Sequence, residues 1–107
     1  MKTPRPALPI AVVALCLSGS VAFAAGVVDT GKVVAELWCS SCHLVGPEQI
    51  STVSGAAPSF GSIADRSEEQ IDALAGFLAD PHPPMPDLSL TRQEILDLLA
   101  YIASLKQ

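Results

Sequence analysis

Three stretches of the chain repeat apolar residues at the three- and four-residue spacing of an amphipathic helix. The first covers 30–39, the second 67–80 and the third 91–105. No other part of the chain sustains either this period or the alternation of a half-buried strand. The apolar residues of the three stripes are Val33, Val34, Leu37 and Trp38; Ile71, Leu74, Ala75 and Leu78; and Ile95, Leu98, Leu99 and Ile102.

Two of these stretches begin at a capping box, in which a Ser or Thr is followed three residues later by Gln or Glu. Ser67 and Gln70 open the second stretch, and Thr91 and Glu94 open the third. Pro81 ends the second stretch, because proline cannot donate the next helical hydrogen bond. The pattern therefore predicts three helices. The capping boxes fix the first residues of the second and third of them.

Two long loops separate the predicted helices. Residues 44–60 contain glycines and prolines without alternation, and residues 80–90 contain four prolines, which exclude both a helix and a central strand. The sequence thus predicts an all-α domain. Three short helices bury little apolar surface against one another, so a flat apolar group between them would complete the core.

The N-terminus has the features of a secretory signal: a positive start, a short apolar run and small residues at a cleavage motif. We expect cleavage after Ala24, which divides the chain into a signal peptide, 1–24, and one domain, 25–107. An uncleaved segment would instead anchor the domain to a membrane. The features are Lys2 and Arg5, the apolar run 10–17 with Cys16 as a small apolar residue, and Ala22 and Ala24.

The domain after the signal is strongly acidic. From residue 25 onward it has four Lys and Arg against eleven Asp and Glu, a net charge of −7. Such a surface repels nucleic acid and anionic membranes and suits a partner with a basic docking patch. We expect the protein in the periplasm, because the signal directs export. We also expect it to be a monomer.

The chemistry is concentrated in Cys39-Ser40-Ser41-Cys42-His43, a C-x-x-C-H motif of the kind that attaches c-type haem. Two thiols three positions apart can each add to one haem vinyl group. The adjacent His43 then meets the iron from one face. The motif predicts one covalently attached haem c, with Cys39 and Cys42 as the tethers and His43 as an axial iron ligand.

Other interpretations of the same cysteines remain open. A thioredoxin-like pair would need a thiolate at a helix N-terminus, whereas this pair closes a predicted helix. A zinc site would use Cys39, Cys42, His43 and His82, with two adjacent ligands in a strained tetrahedron. A plain disulfide is the third alternative for an exported chain.

Electron-transfer haem usually has a second axial ligand. Met85 is the one methionine after the signal, and it stands in the stiff sequence Pro83-Pro84-Met85-Pro86. We therefore predict Met85 as the second ligand, with His82 as its competitor. Methionine ligation leaves no open position, whereas its absence would favour an enzyme or a gas sensor.

These residues together resemble the small monohaem class I cytochromes c, over about residues 30–105. That family has a helix leading into C-x-x-C-H, a proline after it, a methionine loop and a C-terminal helix that crosses the first. The resemblance implies a class I cytochrome c fold, with three main helices and long loops around one haem. It also implies a one-electron carrier of Gram-negative bacteria, not an enzyme, either diffusible or a subunit of a dehydrogenase or oxidase complex.

The resemblance assigns further roles to single residues. Gly31 resembles the glycine that lets the terminal helices cross closely, with Leu98 and Tyr101 packed onto it. Pro58 resembles the proline whose carbonyl accepts a hydrogen bond from His43. The aromatic residue that often precedes the first cysteine by four positions is Ala35 here, and the resemblance implies that Trp38 supplies its bulk.

Overall fold

The structure is a computed structural model that describes residues 2–4, 25–53, 55, 57–66 and 68–107. Residues 5–24 of the predicted signal, with its cleavage motif and Cys16, and the predicted cap residue Ser67 lie outside the described residues. The regular elements are helix α1 (Val28–Val34), a π-helical turn (Ala35–Cys39), and helices α2 (Phe60–Ala64), α3 (Glu68–Ala79) and α4 (Arg92–Ser104).

The described part of the chain is all-α, as predicted. None of its residues forms a strand, and the three predicted helices are present as α1 with the π-turn, α3 and α4. Within these ranges, no helix combines the length and the apolar composition that crossing a bilayer requires. The fold class predicted from the sequence is confirmed.

The first helix begins earlier than the periodicity predicted, and its second half is π-helical. Its start has no local capping side chain; the N–H of Val27 instead donates to Oδ1 of Asp97, 2.8 Å away on α4. Because this acceptor lies 70 residues along the chain, no local pattern could indicate it. The π-turn, with its wider i to i+5 hydrogen bonding, ends at Cys39.

Helix α2 was not predicted. It occupies five residues directly after Pro58 and Ser59, and the hydroxyl of Ser59 caps it by accepting a hydrogen bond from the N–H of Ser62, at 3.1 Å. Five residues are too few to establish a helical period, so the pattern gave no signal. The helix buries Phe60, Ile63 and Ala64.

Helix α3 covers the predicted second stretch and ends at Ala79, directly before Asp80 and Pro81. Leu78 is buried, and the other three residues of its predicted stripe are partly buried against the core. The stripe therefore faces the core as expected.

Helix α4 has the predicted capping box. The hydroxyl of Thr91 accepts from the N–H of Glu94 at 3.2 Å, and the Glu94 carboxylate accepts from the N–H of Thr91 at 2.7 Å. The predicted stripe is also observed, since Ile95, Leu98 and Ile102 are buried. The start and the buried face of this helix were both correctly predicted.

Helices α1 and α4 cross in close contact at Gly31. A Cβ atom at Gly31 would overlap the carbonyl oxygen of Asp97 and would lie 2.9 Å from Cβ of Tyr101. The residue therefore has to be glycine for the two backbones to approach this closely. Tyr101 meets Gly31 as the resemblance implied, whereas the closest group on α4 is the backbone of Asp97.

The expectation that Trp38 replaces the missing aromatic of position 35 is wrong. Ala35 is fully buried, with 0% of its surface exposed, while Trp38 leaves 56% of its surface exposed. The small Ala35 packs directly in the core, so no bulk is needed there. The turn between them points the Trp38 side chain outward.

The core lies among α1, α2, α3 and α4, with the π-turn at one side. One charged residue among the described residues is buried in it: Asp97, 3% exposed, whose carboxylate accepts from Val27 N–H and from Gln93 Nε2, each at 2.8 Å. The buried apolar residues are Val34, Ala35, Cys39, Val45, Phe60, Ile63, Ala64, Leu78, Ile95, Leu98, Tyr101 and Ile102.

Candidate functional site

The C-x-x-C-H residues form a tight turn at the end of the first helical segment. Cys39 is the last residue of the π-turn, and its carbonyl accepts hydrogen bonds from the N–H groups of Cys42, at 3.1 Å, and His43, at 2.8 Å. This turn brings the three side chains to one end of the helix. Cys39 is buried, 5% exposed, whereas Cys42 is exposed.

Both cysteines are free thiols in the structure, and their surroundings differ. Burial, followed by the charge of Cys42, raises the pKa of Cys39 from 9.0 to about 11. The Cys39 thiol is therefore protonated at neutral pH. A raised pKa on Cys39 is the opposite of the lowered pKa that the attacking thiol of a thioredoxin-like pair needs, so Cys39 does not suit that role.

The imidazole of His43 is held in one orientation. Its Nδ1 lies 2.6 Å from the carbonyl oxygen of Pro58, which is the contact that the resemblance implied. A carbonyl can only accept, so Nδ1 is the protonated nitrogen. In the neutral ring Nε2 then carries the free lone pair that a metal ion requires.

Phe60 fixes the position of this proline carbonyl. The N–H of Phe60 donates to the carbonyl of Leu44 at 2.8 Å, which joins the start of α2 to the residue directly after His43. The Phe60 ring also packs on the imidazole, with the ring centroids 5.4 Å apart. The first residue of α2 thus supports His43 through a ring contact and through a hydrogen bond to the neighbouring Leu44.

Met85 and His82 occupy different environments in the proline-rich loop, which contains no helix or strand over its described length. Met85 is partly buried and packs against the same apolar core that includes Cys39 and Phe60. His82 is exposed, and its ring meets the edge of Phe77 with the centroids 5.0 Å apart. Of the two candidate ligands, Met85 is the one that faces the core.

The structure does not assemble the alternative zinc site. Among the described residues, which include Cys39, Cys42, His43 and His82, no three His, Cys, Asp or Glu side chains are grouped closely enough to hold a metal ion. A zinc site built from these four residues alone would require a rearrangement of the proline-rich loop, 80–90, that contains His82.

Sequence reasoning missed two polar residues that order the loop after the motif. Gln49 bonds three backbone groups of this loop, and the hydroxyl of Tyr101 donates to the carbonyl of Val45 at 2.6 Å. The family resemblance implied for Tyr101 only that it packs onto Gly31. None of these four hydrogen bonds belongs to a sequence period or motif, so the sequence gave no indication of either residue's role.

Comparison with known proteins agrees with this geometry. The profile of the cytochrome c family matches residues 28–106. This chain belongs to the cytochrome c family. It is also 44% identical over 95 residues to "Cytochrome c-552" of Bradyrhizobium diazoefficiens, and the match covers 89% of each chain. No solved structure was found to match the chain.

As a cytochrome c, the protein is an electron-transfer protein whose cofactor is covalently attached haem c with its iron. The donor set fits this group: two free thiols stand beside one histidine whose Nε2 is available, and a partly buried thioether faces the core. Haem c is attached by thiols that add to its vinyl groups, and imidazole nitrogen and thioether sulfur are among the ligands that haem iron takes.

Proposed function

We propose that this cytochrome carries single electrons in the periplasm, with haem attached through Cys39 and Cys42 and its iron ligated by His43 and Met85. The observation that carries the proposal is the 2.6 Å hydrogen bond from His43 Nδ1 to the Pro58 carbonyl. It leaves Nε2 as the ligating atom and orients the ring beside the two thiols. When bound, the haem supplies an iron that alternates between the ferrous and ferric states.

The protein's own residues have three tasks in this proposal. The two cysteines tether the ring, which keeps the cofactor in place whatever the state of its axial ligands. His43 is oriented by Pro58, and the loop prolines limit the conformations of Met85. Ligands that are already ordered need little rearrangement when an electron arrives or leaves.

Methionine is favoured over histidine as the second ligand by the surroundings of the two side chains. Met85 faces the core and is partly buried, while the exposed ring of His82 packs on Phe77. A methionine ligand raises the reduction potential relative to a second histidine. With Met85 bound, the iron would have no open position for a substrate or a gas, which suits electron transfer.

A spectrum of the ferric holoprotein tests the ligand set. We expect a weak methionine-to-iron charge-transfer band in the far red or near infrared, and no rapid binding of carbon monoxide to the ferrous form at neutral pH. Absence of the band together with rapid carbon monoxide binding would contradict methionine ligation and favour an open haem site.

The periplasmic location rests on the N-terminal signal pattern and needs its own test. We expect the protein in the periplasmic fraction of the native host, with a mature N-terminus at Ala25. Recovery in the membrane fraction with residues 1–24 still attached would mean that the segment is an uncleaved anchor.

The redox partner is proposed to present a basic docking patch. The domain from residue 25 carries a net charge of −7, and Glu68 and Glu69 are exposed in the first turn of α3. Complementary charge accelerates the diffusional encounter of two proteins without requiring tight binding. A carrier that must release its partner after each electron benefits from this combination.

A further inference from the structure

Gln49 uses its whole side-chain amide to hold the loop that follows the attachment motif. Its Oε1 accepts from the N–H of Val45 at 2.9 Å, and its Nε2 donates to the carbonyls of Ser40, at 2.7 Å, and Ser51, at 3.1 Å. A primary amide offers two N–H donors and an acceptor oxygen, and all are used here. Few other side chains could make the same three bonds.

Two of the three groups that Gln49 binds belong to the backbone around His43. Ser40 stands between Cys39 and Cys42, and Val45 lies two residues after the histidine. Val45 is also held from the other side, because its carbonyl accepts the 2.6 Å hydrogen bond from the buried hydroxyl of Tyr101. Both polar backbone atoms of Val45 are thus fixed by side chains from elsewhere in the fold.

Two hydrogen bonds and the short backbone segments between them connect Val45 to the imidazole of His43. Directly before Val45, the carbonyl of Leu44 accepts the N–H of Phe60 at 2.8 Å. Two residues before Phe60, the Pro58 carbonyl accepts His43 Nδ1 at 2.6 Å. A displacement of residues 44–45 would therefore move the start of α2, and with it the acceptor of the histidine bond.

We propose that Gln49 is a positioning residue: it fixes Leu44 and Val45 so that the Pro58 carbonyl stays hydrogen-bonded to His43, and it thereby lowers the reduction potential of the iron. The inference rests on the proposed function, in which His43 is an iron ligand. A hydrogen bond from Nδ1 makes the imidazole a more basic ligand. A more basic ligand favours ferric over ferrous iron.

The test uses the holoprotein with Gln49→Ala and with Gln49→Met, which keeps the side-chain length but removes all three bonds. The control is Gln93→Ala, which removes one hydrogen bond to Asp97 on α4 and leaves the three hydrogen bonds of Gln49 intact. The measurements are the reduction potential and the rate at which the His43 Nδ1 proton exchanges with solvent, followed by NMR.

We expect the potential to rise in both Gln49 variants. At a fixed electrode potential the ferrous-to-ferric ratio should increase by about threefold to tenfold, and tenfold corresponds to ~59 mV for a one-electron couple. Exchange of the Nδ1 proton should accelerate roughly tenfold. Gln93→Ala should leave both values at those of the parent protein.

The proposal is overturned if both Gln49 variants retain the parent potential and the parent exchange rate. It is also overturned if neither variant yields a folded holoprotein, because a positioning role requires that the fold survive. Should the Ala variant alone fail to fold, the Met variant decides. If the parent protein itself lacks histidine-ligated low-spin iron, the proposed function fails before any variant is compared.

Discussion

The imidazole of His43 is fixed by an acceptor that lies 15 residues further along the chain. The ring is held a second time by Phe60, which packs against it. Because the contact with the Pro58 carbonyl determines the orientation and the tautomer of the ring, Nε2 is preorganised for the role of iron ligand that we propose for it. Pro58 and Phe60 are therefore the two residues that orient the His43 ring in this structure.

Met85→Ala tests the second ligand. We expect a folded haem protein whose reduction potential is lowered by on the order of 0.1 V, because the thioether that favours ferrous iron is lost. Potentiometric titration with optical detection measures it. His82→Ala, a matched change in the same loop, should leave the potential unchanged. An unchanged potential in Met85→Ala, or a large shift in His82→Ala, would contradict the assignment.

Residues of the site differ in how far the sequence could predict them. Cys39, Cys42 and His43 are adjacent in the chain, so a local motif was sufficient to select them. Pro58 was indicated through the family resemblance, and the structure contains its bond to His43. Gln49 could not be predicted, because its three bonds depend on how the loop closes.

Among the elements, helices α1 and α4 pack with their backbones in direct contact. Gly31 lies against the Asp97 carbonyl, and a similar overlap with the Leu96 carbonyl would occur if Gly26 carried a Cβ. Asp97 also accepts the N–H of Val27 at the start of α1. Helices α1 and α4 are thus joined both by close packing and by a partly buried hydrogen bond.

Gly31→Ala should destabilise the protein by about 2 kcal/mol or more, because the added methyl group overlaps backbone that cannot move aside easily. Gly76→Ala is the matched control: its Cβ would meet no atom within 4 Å, and it lies inside α3. That change should stabilise the protein by about 0.5–1 kcal/mol through helix propensity. Urea unfolding measures both, and equal effects of the two substitutions would refute the close crossing.

The capping box of α4 predicts a pH dependence. Hydrogen bonds from the backbone and then from the side chain of Thr91 lower the pKa of Glu94 below its ordinary value. The stabilisation is therefore fully present above the ordinary carboxyl pKa and is lost as the pH falls through the lowered pKa.

Glu94→Gln removes this titration while keeping the other carboxylates. The difference in unfolding free energy between the parent protein and Glu94→Gln should be larger at about pH 6 than at about pH 3. Urea unfolding at the two pH values provides the comparison. A difference that does not change with pH would mean that the carboxylate has no stabilising charge in the folded state.

A helix could be predicted from the sequence where its cap and its apolar period lie within its own residues. The cap and the stripe of α4 lie within its own sequence, and its start was correct to the residue. Helix α1 starts where Asp97 caps it from the far end of the chain, and α2 is too short to show a period. Tertiary contacts therefore decided the elements that local patterns missed.

At the scale of the whole molecule, the apolar core is small for a protein that must remain ordered. It consists of 12 buried apolar residues in the described part of the chain, and one of them is Cys39, a proposed attachment point. A large apolar cofactor attached at this point adds buried surface that the helices cannot provide for each other. Cofactor attachment and folding are therefore linked.

The acidic surface predicts a salt-dependent rate. Electron transfer to a basic acceptor protein should slow by roughly tenfold when the ionic strength is raised from about 10 mM to about 500 mM, because screening removes the attraction between distant charges. Stopped-flow kinetics measure the rate, and a neutral small-molecule acceptor serves as the control. A rate that is independent of salt with the basic partner would contradict electrostatic steering.

The attachment of the haem is tested most directly by the mass of the tryptic peptide 33–66 from the purified protein, since this peptide contains the whole C-x-x-C-H motif. We predict that it carries one haem, with both Cys39 and Cys42 in thioether bonds. The same peptide without haem, with two free thiols or an internal disulfide, would contradict the central claim that these cysteines attach the electron-carrying cofactor.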